Sequence, residues 1–436
     1  VIIGKHLMIR NKQMKVHSLF SSLLLVLVVC LEKYTCLQSA PQQKTILVIG
    51  GNGRVGGSTI RALHKYGEMD TDFPLKILSG GRSRGNFESS RSRWESLTGE
   101  TYSDVDFVQV DITDPAGLRR ALAGADLVVH TAGPFQQKRK PEVLEAAIEA
   151  GVPYVDVCDD RDLAKEAKKL SQSAEKAGVT AIISAGIWPG VSSLLAVDCQ
   201  KALADIGEDT EKIDFQFFTA GTGNAGPTIL SATFLIMAEK VLTYINGKEA
   251  FFPAVSEFKT VNFGKETGNK TVFRLNLIEA YTCHNILGVP SVATWFGTAP
   301  DMWNYLLKGL SFVPREILSD RDLMQKFALF SEPLVRIIDT LVGATNVVKV
   351  EATGSKGTVT TALHGHANLE ECVGIAISGF ATELLAHHQQ AMGESRRGGV
   401  LFPEEVYGAG EEERRQRVLA RATREAFAWD PPCLAS

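Results

Sequence analysis

From Lys44 onward, short apolar runs alternate with amphipathic stretches. KTILVI leads directly into a glycine-rich turn and then a segment whose Ile60 and Leu63 fall on one helical face. The rhythm continues through PLKILSG; DFVQVDITD with a helix from Pro115 to Ala123; DLVVHTAGPF with a helix from Pro141 to Ala150; VPYVDVCDD with a helix from Asp162 to Ala177; and VTAIISAG. Apolar runs separated by helices predict an α/β fold with a doubly wound parallel sheet, whose ligands lie at the carboxyl ends of the strands. From Ile213 the period changes. IDFQFFTAG, FKTVNFG, KTVFRLNLIEA and VVKVEATG predict a mostly antiparallel sheet in an inserted second mixed α/β lobe. GEEERRQRVLARATREAFAW then predicts a charged amphipathic helix turning Val418, Leu419, Ala422 and Phe427 toward the body.

The segment before Lys44 has a different pattern. Leu19 to Leu31 is nearly continuous hydrocarbon, preceded by Lys5, Arg10, Lys12 and Lys15 and followed by polar residues, the layout of a signal peptide. The run is shorter than the roughly 20 residues of a membrane span, so no stable span is expected. The expected destination is the secretory pathway or an organelle reached through an N-terminal signal; without that signal it is the cytoplasm. Composition adds exclusions. The 436 residues carry 46 Lys plus Arg against 50 Asp plus Glu, without clustered basic residues, so nucleic acid is not an expected partner. The 7 cysteines are scattered, with no C-x-x-C pair, so neither a disulfide framework nor a metal site is expected.

The strand–turn–helix at Lys44 is the order a dinucleotide site requires. Gly51, Gly53 and Gly56 satisfy G-x-G-x-x-G, and Gly50, Gly53 and Gly56 satisfy a G-x-x-G-x-x-G alternative. Gly50, Gly51, Asn52, Gly53, Arg54, Val55 and Gly56 are therefore the expected diphosphate turn, at a helix N-terminus. The second strand ends in Ser79, followed by Arg82, Ser83 and Arg84, where an NAD site would present a carboxylate. A guanidinium there suits a 2'-phosphate, so the expected cofactor is NADP rather than NAD. Position along the sheet puts Asp111 and Ile112 near the adenine. It puts Ala132, Gly133, Pro134 and Phe135 near the central phosphates or the nicotinamide ribose.

Two enzyme families share this beginning. A short-chain dehydrogenase or epimerase would need a Tyr and a Lys on one helix face with a Ser nearby, and Ser231, Tyr244 and Lys248 are the available set. On a helix read from Thr228 to Ile245, however, Asn246-Gly247 would leave Lys248 beyond the helix end. Over Lys44 to Tyr407, the glycine turn, SGGR, TAGPF, YVDVCDD, GIWPG, GTGNAGPTILSAT, LGVPSVATWFGTAPDMWN and GGVLFPEE occur in an order that resembles the saccharopine dehydrogenase-like oxidoreductase family. The resemblance implies a Rossmann lobe, an inserted mixed α/β lobe and C-terminal helices returning to the first lobe. It also implies NADP-linked hydride transfer at the amine, imine or carbonyl carbon of a small-molecule substrate. The corresponding divisions are a leader at 1–43, an NADP-binding domain at 44–200, a substrate and dimerisation domain at 201–366, and C-terminal helices at 367–436. A homodimer is compatible with that plan.

The chain departs from this pattern at Trp295, where relatives carry Arg, and at YVDVCDD, which replaces an acidic-Gly ending; an amino-acid substrate is therefore in doubt. Reduction of a carbonyl or imine requires a proton donor. The candidates lie at later strand ends: Asp156, Cys158, Asp159, Asp160 and the Trp188 turn, with Asp156 or Asp160 the expected donor. Cys158 reads as a buried filler, and His364 with His366 as a strand-end pair. Trp295, Phe296, Trp303 and Asn304 form an aromatic cluster suited to core, interface or pocket. Dinucleotide binding without turnover, as in a sensor, is the alternative of a different class.

Overall fold

The computed structural model describes residues 42–220, 227–390 and 398–434. The apolar leader and the glycine-rich run at 221–226 lie outside them. Among the described residues, the first sheet has seven parallel strands: β1 (Lys44–Ile49), β2 (Leu75–Gly81), β3 (Asp106–Gln109), β4 (Leu127–His130), β5 (Tyr154–Asp156), β6 (Thr180–Ile182) and, from far downstream, β15 (Gly399–Leu401). Their order is β15-β6-β5-β4-β1-β2-β3. In β1 and β4, Ile46 to Ile49 and Leu127 to Val129 are essentially inaccessible, because helices cover both faces of a parallel sheet.

The crossover helices are α1 (Arg54–Asp70), α2 (Arg84–Thr98), α3 (Pro115–Leu122), α4 (Glu142–Ala150), α5 (Arg161–Lys168) and α6 (Ser171–Lys176). The single helix expected from Asp162 to Ala177 is thus two. α5 starts one residue earlier than expected, because Asp160 caps it by accepting from Leu163 N at 2.7 Å. α7 (Val191–Asp205) follows β6 and lies against the second sheet.

The second sheet runs β10 (Ser256–Asn262), β11 (Asn269–Arg274), β12 (Ser291–Ala299), β7 (Thr210–Ala220), β13 (Thr345–Gly354), β14 (Val359–His366) and β16 (Ala428–Leu434). β8 (Val241–Ile245) pairs with β12 and β9 (Lys248–Phe252). Only β12 and β7 pair in parallel among these strands; the other ladders are antiparallel. The helices that matter for the cleft are α8 (Pro227–Ile236), α9 (Glu279–Leu287), α10 (Asp301–Leu310) and α11 (Arg321–Val342). The helix expected from Thr228 to Ile245 stops at Ile236; Tyr244 lies in β8, and Asn246-Gly247 is the turn of the β8–β9 hairpin.

The C-terminal region returns to both sheets. α12 (Leu369–Gln390) crosses α1 so closely that a Cβ on Gly374 would lie 2.6 Å from Ser58. β15 joins the first sheet and β16 the second, so the return is made by strands as well as helices. α13 (Glu412–Ala422) buries Val418, Leu419 and Ala422 as its pattern predicts, whereas Phe427 lies past its end and is 40% exposed. No helix among the described residues is long and apolar enough to cross a membrane.

Candidate active site

The carboxyl ends of the first sheet open onto a cavity of about 1610 Å³ that extends beneath the second lobe. Its floor at one end is the glycine turn. Gly50 has φ +87°, a conformation disfavoured for side-chain-bearing residues, and a Cβ on Gly56 would stand 2.1 Å from Gly50 O. The turn is pinned from β2: Ser79 Oγ donates to Asn52 Oδ1 at 2.9 Å, and Asn52 Nδ2 donates to Ser83 O at 3.2 Å. Gly53 is the N-cap of α1 and offers no side chain, which leaves the first amides of that helix available to an anion.

Of the residues expected to hold a cofactor, Gly50, Asn52, Gly53, Arg54, Val55, Arg82, Ser83, Asp111, Ile112, Ala132, Gly133, Pro134 and Phe135 line this cavity. Gly51, Gly56 and Ser79 do not. They are buried beneath the turn, where a Cβ on Gly51 would meet Ser79 Oγ at 2.4 Å. Arg82 is exposed at the rim, and Arg93, from α2, joins it there without a signal in the sequence motif. Neither forms an ion pair with a carboxylate among the described residues. No carboxylate follows β2, so the rim fits a 2'-phosphate. Asp111 serves the loop as well as the cavity, accepting from Thr113 N at 2.9 Å and Thr113 Oγ1 at 2.8 Å. Those bonds hold its pKa below the usual value.

The proton-donor expectation needs correction. Asp156 faces away from the cavity, into a small separate pocket. Its Oδ1 accepts from Ser184 N at 2.7 Å and Cys158 N at 3.0 Å, and its Oδ2 accepts from Tyr154 OH at 2.8 Å. It therefore ties β5 to the loop after β6. Burial lifts its pKa to about 6 against the pull of these bonds. Asp160 is occupied at the N-terminus of α5 and also accepts from Gln137 N at 3.2 Å. The residue that lines the cavity is Asp159. Burial pushes its carboxyl up to about 7; the Gln136 amide opposes this and the nearby Asp160 charge adds to it. Cys158 is buried with Phe135 and Leu163, as a filler would be.

The second lobe supplies features that sequence reading missed. Arg321 on α11 donates from Nη2 to Pro134 O at 3.0 Å and from Nη1 to Gln136 O, fixing the loop after β4. Lys138, on the same loop, lines both the cavity and the small pocket beside it. Burial lowers its pKa. Trp188 lines the cavity, donates from Nε1 to Asn346 Oδ1 at 3.1 Å and stacks on Phe217 with centroids 5.0 Å apart. In the aromatic cluster, Phe296 and Trp303 line the cavity. Trp295 is on the opposite face of β12, where its Nε1 donates to Asp214 at 3.2 Å beneath Lys259. A guanidinium at that position would not reach a substrate in this cavity. Asn304 is buried, accepting from Thr298 N at 3.0 Å. His364 and His366 are buried on β14, and no group of three possible metal ligands occurs among the described residues.

Ser231, Tyr244 and Lys248 do not assemble. Ser231 is buried in α8, while Tyr244 stacks on His284 at 3.8 Å with its OH 3.2 Å from Glu249. Lys248 opens the neighbouring strand, and none of the three lines the cavity. Tyr and Lys share a hairpin instead of a helix face, so the phenol-lowering arrangement is absent.

Residues 46–182 match the family model for the saccharopine dehydrogenase NADP binding domain. No curated protein sequence matches the chain. Among solved structures, it is similar to apo saccharopine dehydrogenase (L-Glu forming) from Saccharomyces cerevisiae. That similarity has 14% identity and a TM-score of 0.60, and covers 90% of this chain and 100% of the other. A meso-dapdh mutant from Clostridium tetani E88 is 11% identical over 83% of this chain and 94% of its own, with a TM-score of 0.38. At these identities the likeness is one of fold, and the lower score adds nothing to it. The chain carries the saccharopine dehydrogenase NADP-binding domain at 46–182, within a fold similar to that of the yeast enzyme.

Proposed function

We propose that the protein is an NADP-dependent oxidoreductase that reduces a carbonyl or imine carbon, or runs the reverse oxidation. NADPH, when bound, supplies a hydride from its nicotinamide. The amides of Asn52, Arg54 and Val55 would hold the diphosphate, those of Gly50, Gly51 and Gly53 being spent inside the turn on Gly80 O, Val48 O and Gly50 O. Arg82 with Arg93 would hold the 2'-phosphate. Ala132 to Phe135, on the loop fixed by Arg321, would border the nicotinamide half. Asp159 then holds the proton that the substrate oxygen or nitrogen takes as negative charge develops there. Trp188 and Phe296 line the same cavity and would help to exclude water from it.

One observation carries this reading: Asp159, with a pKa raised to about 7, opens into the same cavity as the glycine turn. A donor with that pKa can give and regain a proton near neutral pH. Because the protonated form is needed, reduction should weaken as pH rises through about 7, and oxidation should strengthen. The test is NADPH consumption with a panel of ketones, aldehydes and imines. Asp159→Asn should lower kcat by roughly 10²–10⁴-fold and remove this pH limb while leaving NADPH affinity unchanged. Bound but unconsumed NADPH with every substrate would favour a sensor, and an unchanged pH limb would exclude Asp159 as donor.

A further inference from the structure

Beyond Asp159 the cavity wall is mostly hydrocarbon, with Thr219, Thr298 and Ser331 among its few polar members. Phe234 on α8, Leu277 before α9, Phe296 on β12, Leu307 on α10 and Phe327 on α11 face it, with rings of Phe234 and Phe327 in contact at 5.0 Å. Among the described residues of the second lobe, the one charged side chain in the lining is Arg321, and its guanidinium is engaged by Pro134 O and Gln136 O. Arg54, Arg82, Arg93 and Asp111 stand at the dinucleotide end, with Glu370 of α12 3.6 Å from Arg54. Lys138 lies on the loop after β4, at the edge shared with the small pocket around Asp156.

A substrate bearing an α-carboxylate and an ammonium needs paired charges around the reacting carbon, because burying either ion without a partner is costly. Among its described residues, the second-lobe wall provides no such set. It also opens on an apolar mouth: Phe330 and Leu334 line the cavity yet are 83% and 59% exposed. The cavity is continuous from the glycine turn past Asp159 to Phe330 and Leu334, so lining extends beyond the position of the reacting carbon.

We propose that this site takes a long-chain or bulky apolar carbonyl compound, with its carbonyl at Asp159 and its hydrocarbon running along α8, α10 and α11 toward Phe330 and Leu334. This rests on the oxidoreductase reading above. The carbonyl carbon gains a hydride from NADPH, and the C=O π pair moves to oxygen, which takes the Asp159 proton. The products are an alcohol and NADP⁺, and Asp159 regains its proton from water.

The test uses the full chain saturated with NADPH, straight-chain aldehydes from butanal to decanal as substrates, and the matching alcohols as unreactive ligands. Each buried methylene should raise kcat/KM for the aldehyde and affinity for the alcohol about fourfold, until the apolar channel is filled. Leu230→Trp, which adds bulk to the cavity wall, should end the rise at a shorter chain, with its melting curve checking that it folds. Chain-length-dependent alcohol binding without any turnover would support the apolar site and overturn the hydride-transfer reading instead. Turnover independent of chain length, or preference for amino or 2-oxo acids over alkanals, would overturn this inference and leave the oxidoreductase reading standing. NADPH binding with no affinity for any alcohol would also overturn it.

Discussion

Arg321 on α11 reaches across the cleft and donates to the backbone carbonyl of Pro134 at 3.0 Å, tying the second lobe to the loop after β4. The same guanidinium holds Gln136 O, so one side chain sets the position of Gly133 to Phe135. Charge-assisted hydrogen bonds contribute about 1.5–3 kcal/mol each. Arg321→Ala is expected to weaken NADPH binding by roughly 10- to 100-fold in a fluorescence titration. Arg321→Lys should recover little, because an ammonium cannot reproduce the planar fork. Unchanged affinity in both would show that the loop holds its shape unaided.

Gly56 tests the turn itself. A methyl group there would stand 2.1 Å from Gly50 O, a contact that only backbone movement can relieve. Gly56→Ala should abolish measurable NADPH binding and lower the melting temperature. Wild-type affinity in the variant would mean that the turn does not hold a diphosphate.

Arg82 and Arg93 both line the cavity at its rim, and neither is in a close ion pair with a carboxylate among the described residues. Replacing both with Ala should cost roughly 10- to 100-fold in NADPH affinity, the value of a charge-assisted contact, while NADH affinity stays level. Equal losses for both cofactors would place the two arginines away from the 2'-phosphate.

Glu404 is buried beside Thr282 and Ser193, and burial lifts its carboxyl from 4.5 to about 7. Its folded-state pKa is above its unfolded value. Its favourable contribution is therefore complete below about 4.5 and is lost as pH rises through about 7. Glu404→Gln removes this dependence. The variant should melt at or below the wild type at pH 5 and above it at pH 8, a swing on the order of 2–3 kcal/mol. A stability difference independent of pH would mean that Glu404 does not titrate in this range.

The sequence made legible whatever depends on neighbours close in the chain. The strand, glycine turn and α1 helix could be read because KTILVI and GGNGRVG specify them locally. Around YVDVCDD the strand end was legible, but not which acid faces the cavity. Asp156 is drawn away by Ser184 N, a partner 28 residues distant, and Asp160 by the amides it caps. Asp159 is left to the cleft. Asn246-Gly247 stops a helix and turns a hairpin equally well, so Tyr244 was placed on the wrong element. Arg321 gave no signal, since its bond to Pro134 spans 187 residues. β15 has three residues, too few for a pattern to emerge before the sheet is assembled.

The most direct measurement compares NADPH and NADH in equilibrium titrations against the same preparation of the full chain. A glycine turn holding the diphosphate and arginines at the ribose rim predict saturable binding of both, with NADPH favoured at least about tenfold. No uptake of either, or tighter binding of NADH, would contradict the account.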